Sequence, residues 1–466
     1  MESIGQFIGR DLATTALGLA KVMKQVESCG QRAAAGSLHR NLHNLLVGIN
    51  SERKRFILDK VAKTSVRILS EFDARSLSNL IYSFSFAEYV PKVEDGRTIF
   101  DVLALAAMPK LQQFKPQELS NMLWSYAKME SSNSLLFAAV GDSIMGMNDL
   151  RQFMPQELSN IVWSYATVGE SPKLFSKFGD HIVAMKDLRH FKPQELSNIV
   201  WAYATAGQLH PLLFQKLADV AIASFNKYNS QDIANLLWAY ATVGLIDSQL
   251  FTSFAPAVKS VMGKCNSQNV ANVAWSYAVA NVNNPLLFDT DFIAALQAKA
   301  NDFGLDGYSQ LHQWQSWQDE LKSGINLPPA LRDKCRQAFV SESYQSSNFQ
   351  DDVISVLSSI GMLPEEEVLT ASGYRLDALV EVNGVKVGIE VDGPSHFINQ
   401  RPTGSTLLKS RQVSTFDGIE IVSVPYWEWD EFGTDRAKKQ EYLRSKLGLS
   451  CMHADNKLGR IESMVV

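Results

Sequence analysis

The chain has 466 residues, a formal net charge of −5 and 46% apolar side chains. That length implies two or more domains with ample core, and no apolar run is long enough to span a bilayer, so no membrane association is expected. The slight acidity argues against a protein held to nucleic acid by bulk electrostatics, which needs clustered lysine and arginine.

Residues 1–50 carry Arg10, Lys21, Lys24, Arg32 and Arg40 and a small-residue stretch from Gly30 to Ser37. This is compatible with an organellar transit segment, although Glu2, Asp11 and Glu27 count against it. A degenerate first repeat is the other reading. His39 and His43 stand one helical turn apart without a third ligand and read as surface histidines. The densest basic stretch, Arg53-Lys54-Arg55 to Lys60, Lys63 and Arg67, reads as a solvated helix face. Cys29, Cys265, Cys335 and Cys451 are scattered with no Cys-x-x-Cys pair, which fits a reducing compartment and no structural zinc.

From residue 51 to 305 a pattern recurs, Asn-x-x-Trp-x-Tyr-Ala, with its tryptophan at 124, 163, 201, 238 and 275. A weaker copy, Leu77-Ser78-Asn79-Leu80-Ile81-Tyr82, precedes it. A period of 37–39 residues marks a solenoid of about six stacked helix pairs. Pro116, Pro155 and Pro193 sit at the first helical position, where no donor is lost. Asn229 and Asn266 are good caps for the later units. Leu196, Ile199, Val200, Tyr203 and Ala204 form one apolar stripe. Gln194, Asn198, Trp201 and Thr205 form a second at helical spacing, as suits a helix sandwiched between neighbours. The recurrent tryptophans read most simply as packing. The recurrent asparagines fit a ladder tying adjacent repeats, or base contacts. Positions that vary between units are the better places for a base code: Glu118, Glu157, Glu195, Asp232 and Asn269, and Ser125, Ser164, Ala202, Ala239 and Ser276. Residues 116–300 hold 12 Lys and Arg against 14 Asp and Glu, so the array is not basic.

Residues 306–344 read as a junction. Beyond it, Asn383-Gly384 is a strong two-residue type I′ hairpin signal between β-rich runs. With Val382 opposite Val385, Asp377 falls opposite Glu390 and Arg375 opposite Asp392. Leu376, Ala378, Val380, Val382, Val385, Val387, Ile389 and Val391 make the core face. Like charges placed across strands need a cation, a proton or a basic neighbour. Two readings follow: a divalent-metal site of nuclease type, with Asp377 and Glu390 holding Mg²⁺ or Mn²⁺, or a charge network in which Arg375 neutralises Asp392 and Glu390. Nucleases of the PD-(D/E)XK class carry a lysine two residues after the second carboxylate, where this chain has Asp392. Lys409 and Arg411, on the next helix, can reach the same face. His396 fits a general acid, a phosphate contact or a loop cap. Trp427 and Trp429 fit a base-stacking surface or core.

Glu390-Val391-Asp392-Gly393-Pro394-Ser395-His396-Phe397, then Pro402 to Arg411, then Val422-Ser423-Val424-Pro425-Tyr426-Trp427-Glu428-Trp429, resembles the RAP domain over about residues 345–450. Leu311-His312-Gln313 resembles the short helix that commonly precedes it. The array resembles octotricopeptide and related repeats, and proteins of this kind include the Fas-activated serine/threonine kinase relatives. The resemblance implies an α-solenoid followed by a small α/β, restriction-endonuclease-like domain. It implies an organellar protein, mitochondrial or chloroplast, that binds single-stranded RNA or ribosomal RNA in processing, maturation or stability. A metal-dependent endoribonuclease is the alternative, with Asp377 and Glu390 as ligands and Asp392, His396 and Lys409 assisting. A scaffold for ribosomal or other organellar proteins is the third. On this resemblance the candidate RNA contacts are Gln117, Gln156, Gln194, Gln231 and Gln268; Asn121, Asn160, Asn198 and Asn235; and Arg411, Trp427 and Trp429.

Overall fold

The computed structural model describes residues 13–14, 16–18 and 51–449, apart from 94–95, 132, 170–171 and 342–346. Most of the transit-segment reading, with His39, His43, Cys29 and Cys451, lies outside these residues, as do the side chains of Arg53 and Lys54. The chain divides into two compact units between Phe288 and Asp289.

In the first unit, α1 (Ser51–Arg67) leads into helix pairs. The A helices are α2 (Ala74–Phe86), α4 (Pro116–Lys128), α6 (Pro155–Val168), α8 (Pro193–Thr205), α10 (Ser230–Thr242) and α12 (Ser267–Ala280). Between them run the B helices α3 (Ile99–Ala107), α5 (Ser134–Met145), α7 (Pro172–Ala184), α9 (Pro211–Ile222) and α11 (Ser248–Val261). Each A helix packs chiefly on the next A helix, which is the stacking the period requires. The starts follow the sequence. Proline opens α4, α6 and α8, and the Asn229 and Asn266 side chains accept backbone N–H groups at the heads of α10 and α12.

The motif tyrosine joins one repeat to the next. Tyr126 donates its hydroxyl to the Phe100 carbonyl at 2.6 Å, and Tyr165 to the Phe137 carbonyl at 2.7 Å. Tyr203, Tyr240 and Tyr277 do the same to Phe175, Phe214 and Phe251. Each pair also meets edge to face, with ring centres 5.0–5.2 Å apart. The acceptor lies in the B helix of the preceding unit, so one fully buried side chain carries both the ring packing and the polar bond between repeats. Lys177 adds a second link, donating to the Met145 and Met147 carbonyls, the unsatisfied end of α5.

In the second unit, α13 (Thr290–Ala298), α14 (Leu305–Glu320) and α15 (Pro329–Val340) precede α16 (Asn348–Ser359). The sheet has the order β1 (Glu365–Leu369), β2 (Arg375–Val382), β3 (Val385–Asp392), β6 (Glu420–Pro425). The first three strands are antiparallel and β6 lies parallel to β3. A two-residue ribbon, β4 (Phe397–Ile398) with β5 (Arg401–Pro402), precedes α17 (Gly404–Asp417); α18 (Tyr426–Asp430) and α19 (Arg436–Lys446) close the unit. One sheet face packs Ala378, Val380, Val382, Ile389 and Val391 against Val353 and Leu357 of α16 and Leu443 of α19. The other packs Tyr374, Leu376 and Leu379 against Val413 of α17. The result is an α/β/α sandwich.

The hairpin turns at Asn383 and Gly384, with φ of 54° and 80°, as a type I′ turn requires. The expected register holds from Val382↔Val385 to Ala378↔Ile389. There the ladder stops. The Asp377 carboxylate accepts the Val391 N–H at 2.6 Å, taking the place of a strand carbonyl. Leu376 consequently lies with Leu379 instead of with Ala378, which corrects the expected core face. Arg375 does not oppose Asp392: it donates to the Glu367 carbonyl at 3.0 Å.

Residues 306–344, read as a junction, hold helices that bond into the second unit. His312 Nε2 lies 3.0 Å from the Ser372 carbonyl, Gln313 donates to the Tyr374 hydroxyl, that hydroxyl donates to Gln412, and Gln412 donates back to the Gln313 carbonyl. Trp314 and Trp317 are fully buried.

Candidate functional site

The A helices present one repeated polar stripe. In α4 to α12 the residues Gln117, Gln156, Gln194, Gln231 and Gln268 are exposed near the helix start. Four residues on, Asn121, Asn160, Asn198 and Asn235 are half-buried, and three further on so are Trp124, Trp163, Trp201 and Trp238. Spacings of four and three put all three on one helix face. The asparagine ladder is not formed: among the described residues the amides of Asn121, Asn160, Asn198 and Asn235 make no hydrogen bond. In the last unit Gln268 donates to Asn272 at 2.7 Å, within one helix. The tryptophans are not plain core either, Trp275 excepted. Trp163 and Trp201 lie with ring centres 6.5 Å apart and planes 28° from parallel, close to twice the ~3.4 Å step between stacked bases.

The positions singled out for a varying code are sequestered. Glu118, Glu157 and Glu195 each accept the backbone N–H at the head of their own helix at 2.8 Å, as Asp232 does at 3.3 Å. Ser125, Ser164 and Ser276 are fully buried and donate to the carbonyl one turn back, while Ala202 and Ala239 are buried too.

The sheet gathers a second cluster. Glu390 and Asp392, at the end of β3, are 4% and 1% exposed. Lys409 of α17 reaches Glu390 Oε2 at 2.5 Å. Even so, burial dominates and pushes the Glu390 carboxyl up to about 8, the Asp377 charge adding to the rise while Lys409 opposes it. Burial also raises Asp377, opposed by the Val391 N–H and by Lys409. His396 Nδ1 lies 3.1 Å from Asp392 Oδ1, and Ser423 donates to Asp392 Oδ2. Among the described residues, three buried carboxylate oxygens have no hydrogen-bond partner of good geometry: Glu390 Oε1, Glu367 Oε2, which lies 3.9 Å from Arg375, and Asp392 Oδ1, near His396 but off line. The expected neutralisation of Glu390 by Arg375 is therefore replaced by Lys409. Among the described residues no three His, Cys, Asp or Glu side chains converge as metal ligands. With Lys409 on Glu390, the donor set does not fit Mg²⁺ or Mn²⁺ as it stands.

The family model described as RAP domain matches residues 389–446, which hold Glu390, Asp392 and α17 to α19 but not Glu367 or Asp377. The family model described as RNA-editing substrate-binding complex 6 protein matches residues 86–302, the helical array. The chain carries a RAP-domain match together with helical repeats. A relative in rice, Oryza sativa subsp. japonica, named "RAP domain-containing protein, chloroplastic", is 35% identical over 105 residues, which is 22% of this chain and 16% of the relative. The chain thus matches about a sixth of that relative's length.

Within the RAP domain two candidate RNA contacts are otherwise engaged. Trp429 is 3% exposed, in the core, and its indole N–H donates to Asp352 at 2.9 Å. Arg411 is drawn to Glu320 at 3.2 Å. Trp427 stays half-buried, edge-on to Phe397 with centres 4.3 Å apart. Sequence reasoning missed Gln350, Glu367 and Ser423. Gln350 donates to Glu367 at 2.7 Å and also lies 3.4 Å from the Asp377 carbonyl. β1 was not foreseen, and with it went Glu367, which carries a positive φ of 55° inside the strand.

Proposed function

We propose that the protein binds single-stranded RNA and acts in the processing, maturation or stability of organellar transcripts or ribosomal RNA. The observation that carries this is the repeated A-helix stripe, in which half-buried amides have open hydrogen-bonding capacity beside half-exposed indoles. Aromatic side chains give platforms on which the bases of a single strand stack, and amides beside them can bond the edges of unpaired bases. The family descriptions, one naming RNA-editing substrate binding and the other the RAP domain, support the reading, and the chloroplastic relative supports an organelle. The test is fluorescence anisotropy of a labelled random-sequence RNA with the purified chain. The double variant Trp163→Ala/Trp201→Ala should weaken binding by at least about tenfold, since each stacked base contributes about 1–3 kcal/mol. Absence of binding by the parent protein removes the proposal.

A second reading, RNA cleavage at the buried acids, is favoured by one observation: Lys409 stands on Glu390, whose other carboxylate oxygen, Oε1, is buried without a hydrogen bond. Asp377, Glu390, Asp392, His396 and Lys409 would then be the groups to vary. Its test is intact labelled RNA incubated with and without added Mg²⁺ or Mn²⁺. Cleavage that survives in Lys409→Met and Asp377→Asn proteins would come from a contaminant and defeat this reading.

A further inference from the structure

The stripe carries its information in its sameness. α6, α8 and α10 present identical exposed or half-buried sets: Gln156, Asn160, Trp163 and Thr167; then Gln194, Asn198, Trp201 and Thr205; then Gln231, Asn235, Trp238 and Thr242. α4 differs only in having Lys128 in the last place, where its ammonium lies 5.3 Å from the centre of the Trp124 ring. Most other positions that differ between units are buried or, as the first-turn acids, bonded to the helix head; the residues just before the helices, Lys115, Met154, Lys192 and Asn229, differ and are exposed. Identical sets of side chains present the same donors and acceptors, so they favour the same base. Carboxamides offer a donor and an acceptor side by side, the pattern that reads a base edge bidentately in an unpaired strand. The Trp163–Trp201 pair sets the two indoles of one pair of consecutive units 6.5 Å apart.

We infer that the array recognises a homopolymeric tract, one base type repeated, with one nucleotide to each of the consecutive units α4, α6, α8 and α10. This deepens the RNA-binding proposal and rests on it. The recognition is of composition: a run of one base fills every site at once, while a mixed sequence leaves amide pairs facing the wrong edge.

The experiment uses the full chain and labelled oligo-A, oligo-U and oligo-C of about 12 nucleotides, inside the ~4–16-nucleotide range of single-strand sites. A shuffled oligonucleotide of A, U and C is the comparison. One homopolymer should bind at least about tenfold tighter than the shuffled strand, because each matched amide discriminates. In the triple variant Asn160→Ala/Asn198→Ala/Asn235→Ala that preference should fall to within about twofold of the shuffled strand, the far-ultraviolet circular dichroism being unchanged. If the variant loses its helical signal, the Asn198→Asp protein serves instead and should lose preference alone. Equal affinity for all four strands, or tightest binding to the shuffled one, overturns the inference while RNA binding stands. No binding to any of them overturns both.

Discussion

At the scale of single residues, two groups make sharp predictions. Gly179 of α7 lies under the His210 ring, and a Cβ there would come within 2.4 Å of His210 Cδ2. His210 is also the N-cap of α9, its Nδ1 accepting the Leu213 N–H at 3.2 Å while Nε2 faces Asp180. Gly179→Ala should displace the ring and cost about 1 kcal/mol for the lost cap plus strain, read as a lowered midpoint in urea; an unchanged midpoint would show that the ring moves freely. Glu390 predicts a pH effect. Its folded-state carboxyl is raised from 4.5 to about 8, so between those values the folded protein holds a proton that the unfolded chain has released. Stability therefore falls as pH rises through that window. Glu390→Gln keeps the shape and removes the charge, so the variant's melting temperature should gain on the parent's as pH goes from about 5 to 8. Parallel profiles would mean that Lys409 holds the carboxylate ionised throughout. None of this burial was legible in the sequence: the acids alternate with valines along β3, but which of them sinks depends on α17 and β6 closing over the strand end.

At the scale of elements, the tyrosine of each A helix is the connector between repeats. Replacing Tyr203 by Phe keeps the edge-to-face contact with Phe175 but removes the donor to its carbonyl. That carbonyl is already bonded within its helix, so the loss should be about 1 kcal/mol, the net worth of one buried hydrogen bond. Tyr203→Ala should cost about 3–5 kcal/mol through the cavity it opens. Both are measurable by chemical denaturation, and equal losses would show that the hydroxyl, not the ring, holds the units together. The repeat period, the proline starts and the Asn-Gly turn could be read from the sequence because each is a local signal with a local cause. The tyrosine connector was visible only as part of an apolar stripe, since its acceptor is a main-chain atom in another repeat. The break in β2 was not legible at all: strict alternation put Leu376 on the wrong face, because nothing local announces that the Asp377 side chain will replace a ladder carbonyl.

At the scale of the whole molecule, charge decides how RNA can be held. The chain is net −5 and its array is balanced between signs. Several of the array's lysines are committed: Lys177 to the carbonyls ending α5, Lys216 to Val183 at 2.7 Å, Lys259 to Leu286 at 2.8 Å, and Lys128 to Glu88 at 3.1 Å. At the A-helix starts the exposed Lys115 and Lys192 remain for phosphates, so most of the binding along the stripe has to come from stacking and amide contacts. This fixes a salt dependence. The affinity for a single strand changes with a log–log slope of about −0.7 for each phosphate neutralised. With about two such contacts, raising salt from about 50 to 200 mM should weaken RNA binding by less than about tenfold. A basic-groove protein with about 6–10 contacts would lose about 3 × 10²–10⁴ over the same range. Anisotropy titrations across that range separate the two regimes. A steep slope would move the RNA off the amide stripe and onto a basic surface elsewhere in the chain.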